Sequence, residues 1–164
     1  MRPPARKDNA RGIGAADAAG GSIFSLPMRV YYQDTDAGGV VFHGNYLNFF
    51  ERARTEWLRQ LGFDVRQLAQ QEGVMFIVRG LRVNYMRPAL VDDMLIVTAT
   101  IENLGRAQFT LDQRVLRGED LLVQGSVNLA CVTVEGLKPA RVPASLYVAL
   151  GLSTGREITQ GEEA

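Results

Sequence analysis

The sequence predicts an α+β domain in which a five-stranded antiparallel sheet wraps one long central helix. Three observations carry this. Segments 74–86, 93–102, 107–117 and 121–134 alternate apolar and polar residues with a period of two, the spacing of a half-buried strand. Asn103-Leu104-Gly105 and Arg117-Gly118-Glu119-Asp120 separate them with the short turns of antiparallel hairpins. Ahead of them, residues 46–61 place apolar side chains at helical spacing. One helix against successive strands is met by a sheet curled around it.

The chain has 164 residues, which suits one domain of ordinary size. With 46% hydrophobic and 22% charged residues it is neither wholly disordered, collagenous nor a disulfide-rich miniprotein. Eighteen cations balance 18 anions, so the basic excess of a general nucleic-acid binder is missing. All the cations but Lys7 and Lys138 are arginine, whose planar fork suits phosphate and carboxylate. The lone Cys131 excludes an intrachain disulfide and fits a reducing compartment. No apolar run reaches the ~20 residues of a membrane span. Arg2, Arg6, Lys7 and Arg11 are followed by no apolar stretch of the kind a secretory signal carries. A cytoplasmic protein is expected.

Residues 1–22 hold only Met1 and Ile13 as larger apolar groups, too few to offset the entropy of ordering. The expected organisation is a disordered tail and lead-in over 1–27, a domain over 28–150, and a polar tail over 151–164. Met28–Gln33 is β-rich and is expected as the first strand. Asp34–Asn45, punctuated by Gly38, Gly39 and Gly44, is expected as a loop. In Tyr46–Leu61 the stripe Tyr46, Leu47, Phe49, Phe50, Ala53, Trp57, Leu58 and Leu61 is broad and aromatic and needs a large flat partner. Asn45 is placed as its N-cap and Gly62 as its stop. Arg52 and Glu56 stand one turn apart on the outer face. A short helix is expected over Val65–Glu72.

In the four strands, Leu81, Val83 and Tyr85 alternate with Arg82 and Asn84; Leu95, Val97, Ala99 and Ile101 share one face, as do Phe109, Leu111 and Val115, and Leu121, Val123, Val127, Leu129 and Cys131. Pro88 and Pro139 fall outside the strands. Met94, Ile96, Leu116, Leu122, Ala130, Val132 and Val134 supply apolar groups to the other face, which predicts association with further copies.

The chemistry concentrates in residues 31–46, with Asp34, Asp36, the only histidine, His43, and three glycines, just ahead of the long helix. A helix start presents N–H groups without intrahelical partners and a partial positive charge, able to hold a developing oxyanion. Asp36 is then a candidate nucleophile or general base. Ordinary roles stand beside these: a turn cap for Asp34, a turn for Asp36, plain hydrogen bonding for His43, a surface ion pair for Glu51, and packing for Trp57 and Cys131. A metal held by Asp34, Asp36 and His43 lacks support from a second His or a nearby Cys, so no metal is assigned.

The run Tyr31-Tyr32-Gln33-Asp34-Thr35-Asp36-Ala37-Gly38-Gly39-Val40-Val41-Phe42-His43, continued by Tyr46-Leu47 and by Glu51-Arg52-Ala53-Arg54-Thr55-Glu56, resembles the signature of the YbgC-type acyl-CoA thioesterases. These are the Tol–Pal-associated members of the 4-hydroxybenzoyl-CoA thioesterase branch of the hotdog-fold superfamily. The likeness continues through Phe76–Arg79, Tyr85–Ala89 and Asp92–Leu95 and covers about residues 28–150. It implies a hotdog fold, a homodimer assembling into a homotetramer with sites between subunits, and hydrolysis of an acyl thioester of CoA or an acyl carrier protein. It implies no cofactor, CoA being part of the substrate.

On this resemblance Asp36 attacks the thioester or activates water. The backbone N–H at or beside His43 polarises the carbonyl, and the His43 side chain orients water or substrate. Tyr32, Gly44, Asn45 and Tyr46 belong to the substrate site. Among Arg79, Arg82, Arg87, Arg106, Lys138 and Arg141, Arg79 and Arg106 are assigned to the substrate, Arg106 being the first choice for the CoA phosphates. Phe42 stands where relatives often carry Tyr or Trp. The competing readings are a hotdog dehydratase using His43 as base and Glu51 as acid, and a non-catalytic acyl-thioester scaffold.

Overall fold

In a computed structural model the described residues are 22–152, so the readings for 1–21 and 153–164 lie outside them. The elements run β1 (Phe24–Arg29), a 3-10 turn (Tyr32–Asp34), α1 (Asn45–Gln60), α2 (Val65–Gln67) continuing into a π turn (Leu68–Glu72), β2 (Val74–Tyr85), β3 (Met94–Leu104), β4 (Gln108–Arg117), β5 (Asp120–Thr133) and α3 (Ala144–Leu152). The strands form one sheet in the order β1-β3-β4-β5-β2, every pair antiparallel. This is the α+β arrangement expected, with each of the last four strands within two residues of its expected ends.

β1 is the exception, lying four residues earlier than Met28–Gln33 at each end. Phe24, Leu26 and Met28 turn toward the core, and Phe24 stacks on Trp57 with ring centroids 6.4 Å apart. Pro27 is tolerated because β1 is an edge strand, bonded to β3 alone. The strand cannot run on through Gln33, because the Tyr31 N–H donates to Asp34 Oδ2 at 2.8 Å and bends the chain. The sheet thus takes in residues 24–27, which had been assigned to the lead-in.

The helix lies against the concave face through Tyr46, Phe49, Phe50, Ala53 and Trp57, all buried. It stops as expected at Gly62, whose φ of 92° is the left-handed geometry a side chain resists. Glu56 pairs with Arg59, not with Arg52 as its spacing had implied. Asn45 is the first helical residue and Gly44 the cap; the Asn45 side chain is occupied elsewhere. α3 was not anticipated. Its Leu146 and Leu150 are fully buried one turn apart and seal one end of the core, and it runs on through Gly151 and Leu152, past the expected domain boundary.

The second face of the sheet differs from expectation. Its centre is polar: Asn128 donates to Thr110, Gln124 and Arg114 to Asp112, and Ser126 to Glu102. Leu122, Ala130 and Val132 are already buried within the chain, leaving Met94 and Val134 as the exposed apolar groups of that set, at opposite ends of the sheet.

The Phe50 ring of α1 packs over Gly125 of β5, where a Cβ would stand 2.5 Å from Phe50 Cε2. Gly125→Ala should therefore destabilise the fold by about 1–3 kcal/mol through overpacking, despite alanine's advantage over glycine in a strand. Urea unfolding measures this.

Candidate active site

The loop between β1 and α1 is built on Asp34. Its carboxylate is buried, accepting the Tyr31 N–H on Oδ2 and the Asn45 side-chain amide on Oδ1 at 3.3 Å. Its carbonyl accepts the Phe42 N–H at 2.9 Å and the same Asn45 amide at 3.1 Å. Asp34 is thus the turn residue the sequence allowed it to be, and Asn45, assigned to substrate, ties the helix to it. Asn45 also accepts from Asn48.

Between these ties the chain makes a small hairpin, with Thr35 bridged to Val41 and the Asp36 N–H donating to Val40 O at 2.9 Å. Gly39 turns it with a φ of 78°. Asp36 is exposed at the tip, its Oδ1 accepting the Gly38 N–H at 2.8 Å. A Cβ at Gly38 would stand 3.0 Å from that oxygen, so glycine leaves the carboxylate room.

The second arm is a cleft of about 280 Å³ lined by Val41, His43, Tyr46, Tyr85, Met86, Arg87 and Pro88. Val41 donates from its N–H to Ala89 O, and Ala89 N–H donates to the Tyr46 hydroxyl at 3.1 Å. The Tyr85 hydroxyl donates to His43 O at 2.9 Å, and its ring meets Tyr46 edge-on at 5.7 Å. Burial pushes the Tyr46 hydroxyl pKa up, against the lowering effect of the Ala89 N–H. The Phe42 ring packs on His43 at 4.4 Å and lies over Gly44, where a Cβ would come within 2.8 Å of it. Glycine therefore lets the Phe42 ring sit close against the helix start.

The structure brings His43 and Tyr46 into the cleft, with Gly44 at the helix start beside them, and holds Asp36 on the adjoining hairpin outside its lining. Tyr32 is 84% exposed on the 3-10 turn. Arg79 is exposed at the irregularity of β2 between Val78 and Gly80. Arg106 sits in the β3–β4 turn, at the far end of the 11-residue β3 from the loop, roughly 30 Å away along the strand at about 3.3 Å per residue. Lys138 and Arg141, in the connection after β5, lie at that same far end. Arg87 is the cation in the cleft, ion-paired with Asp120 at 3.2 Å on the exposed rim. Glu51 is exposed on α1. Trp57 and Cys131 are buried, and burial raises the Cys131 thiol pKa. Tyr85 and Met86 were missed as site residues; their signal was the run Tyr85–Ala89, where Pro88 ends an apolar strand beside the loop.

Arg117 braces this end of the sheet, donating to Asp93 Oδ2 at 2.8 Å and to Pro88 O at 3.3 Å. Partial burial would raise the Asp93 pKa, but the Leu90 N–H and Arg117 outweigh it and hold it below the usual carboxylate value. The stability this gives is present above the unfolded aspartate pKa of about 3.9 and is lost as pH falls through the folded one. Wild type should therefore outlast Arg117→Met in urea at neutral pH, with the gap closing below about pH 4.

The thioesterase superfamily profile matches residues 38–124. A protein of Haemophilus influenzae named acyl-CoA thioesterase YbgC is 42% identical over 126 residues, spanning 77% of this chain and 93% of that one. The crystal structure of a probable thioesterase from Bartonella henselae is 42% identical, covers 74% of this chain and 99% of its own, and superposes with a TM-score of 0.71. A DHNA-CoA thioesterase structure from Staphylococcus aureus is 25% identical, with a TM-score of 0.75 over 81% of this chain and 91% of that one.

Proposed function

Because the chain belongs to the thioesterase superfamily, we infer that it is an acyl-CoA thioesterase, cleaving an acyl thioester with water to a free acid and the CoA thiol. The observation that carries the site is the frame itself: one buried carboxylate, Asp34, anchors both the hairpin that bears Asp36 and the start of α1 beside His43.

The reaction needs a base or nucleophile and a place for negative charge. In the proposed reaction, Asp36 takes a proton from water as the water oxygen bonds to the carbonyl carbon. The carbonyl electrons move onto oxygen, where the N–H groups at His43 and Gly44 and the positive end of α1 stabilise them. The C–S bond then breaks, the carbonyl reforms, and the thiolate takes the proton back. If Asp36 attacks directly, the carbonyl carbon gains a bond to the Asp36 oxygen as the thiolate leaves, and water then opens the mixed anhydride; water attacking the Asp36 carbon leaves one solvent oxygen on Asp36. Label on Asp36 after a single turnover in ¹⁸O-water would therefore mark the direct route.

His43 orients the water or acyl group, Tyr46 shapes the wall, and Arg87 joins Arg79 and Arg106 as a partner for the CoA phosphates. Support for Arg87 is its place in the cleft. Support for Arg79 and Arg106 depends on a second copy. β2 is a 12-residue edge strand carrying exposed Val78, Leu81 and Tyr85, an open edge fitted to pair antiparallel with its own copy. Such pairing would set Arg79 near the two-fold axis and bring the Arg106 end of the partner's sheet to the side of this chain's cleft.

Wild type should release thiol from acyl-CoA, which a dehydratase would not do. Asp36→Asn should lower kcat by roughly 10²–10⁴-fold, the range for losing a positioned acid–base group. His43→Ala should slow turnover while CoA binding measured by calorimetry persists. Undiminished turnover in Asp36→Asn would overturn the assignment.

A further inference from the structure

Gln113 lies in the middle of β4 on its inward face, in line with Phe109, Leu111 and Val115, and is fully buried. An amide there is costly unless its hydrogen bonds are made. Both of its polar atoms are used, and both reach the same stretch of α1. Nε2 donates to the Phe50 carbonyl at 3.0 Å, and Oε1 accepts from Arg54 Nη1 at 3.0 Å, one helical turn further on. The residue opposite Gln113 on β5 is Gly125, the position where the sheet gives way to the Phe50 ring. One cross-strand pair therefore holds one helical residue twice, its backbone through Gln113 and its ring through Gly125.

The remainder of the contact is apolar: Tyr46, Phe49, Ala53 and Trp57 meet side chains of the sheet. Apolar contacts are non-directional and tolerate small sliding. The amide is not so tolerant, since a slip of one residue moves the Phe50 carbonyl by about 1.5 Å along the axis and turns it by about 100°. Phe50 stands five residues from the start of α1, so the bond sets where the N–H groups at that start lie. We propose that Gln113 is a positioning residue that fixes α1 along its axis against β4 and thereby places the oxyanion-binding N–H groups beside His43. Arg54 completes the clamp by occupying the second polar atom of the amide. This rests on the acyl-thioester reading for its kinetic consequence, though not for the geometric one.

Gln113→Leu keeps the shape and removes both bonds. Assayed where circular dichroism shows it folded, it should lose about tenfold or more in kcat with KM changed less than about twofold, since misplacement by about 1 Å costs the transition state far more than ground-state binding. Its crystal structure should show α1 displaced relative to β4. Should that variant not fold, Gln113→Glu keeps the Arg54 contact and sets a carboxylate oxygen against the Phe50 carbonyl, and the same loss in kcat is expected. The inference is overturned if a folded variant keeps wild-type kcat, if its losses only follow the unfolded fraction, or if α1 has not moved. A wild-type protein that releases no thiol from any acyl-CoA would refute the functional reading alone, and the position of α1 in the variant would still decide the role of Gln113.

Discussion

The buried carboxylate of Asp34 is the constraint on which the site depends. A carboxylate withdrawn from water must find donors, and it does so in the Tyr31 N–H and the Asn45 amide. Each bond has a structural consequence. The first ends β1 and starts the turn; the second joins the loop to the first residue of α1. The Phe42 N–H returning to the Asp34 carbonyl closes the frame. Everything assigned to chemistry hangs from it: Asp36 two residues beyond Asp34, and His43 and Gly44 just ahead of Asn45. A loop carrying three glycines would be expensive to order by itself; tied at both ends, it becomes a fixed mount.

The second half of the mount is the helix. One helix covers the concave face of five strands, so its position is shared by every element around it. The sheet makes room at Gly125 and makes a directional contact at Gln113, both addressed to Phe50. At the site end, the Tyr46 hydroxyl ties the first turn of α1 to Ala89 in the segment after β2, and the hydroxyl of Tyr85, the last residue of β2, ties to His43, two residues ahead of the helix. The cleft is thus made of two chain segments far apart in sequence, held together by backbone groups bonded to tyrosine hydroxyls.

Much of this was legible in the sequence, and the failures have physical reasons. The four late strands and α1 were readable because period-two and helical spacing are direct imprints of half-burial. β1 was misplaced because Pro27 argues against a strand where Phe24, Leu26 and Met28 alternate, while Tyr31 and Tyr32 have strong β preference yet lie where Asp34 bends the chain. α3 was missed because Leu146, Tyr147, Val148 and Leu150 are apolar on several sides, which leaves no periodicity to detect. The loop was legible as a candidate site from its composition. Asn45 was read as a cap because its residue type suits one, whereas its side chain serves Asp34. Arg106 was named for its place after the Asn103-Leu104-Gly105 turn; that the turn lies at the far end of this chain's sheet from the loop is a matter of topology that alternation does not show. Gln113 was in plain view as a polar residue at an apolar parity, a signal that a count of apolar positions passes over.

The most direct test of this account is a crystal structure of the Asp36→Asn protein with an intact acyl-CoA bound. The thioester carbonyl oxygen should lie at the start of α1, within hydrogen-bond distance of the His43 or Gly44 N–H, with the residue 36 amide facing the carbonyl carbon or a water beside it. A thioester seated elsewhere, with its carbonyl away from the helix start and residue 36, would contradict it.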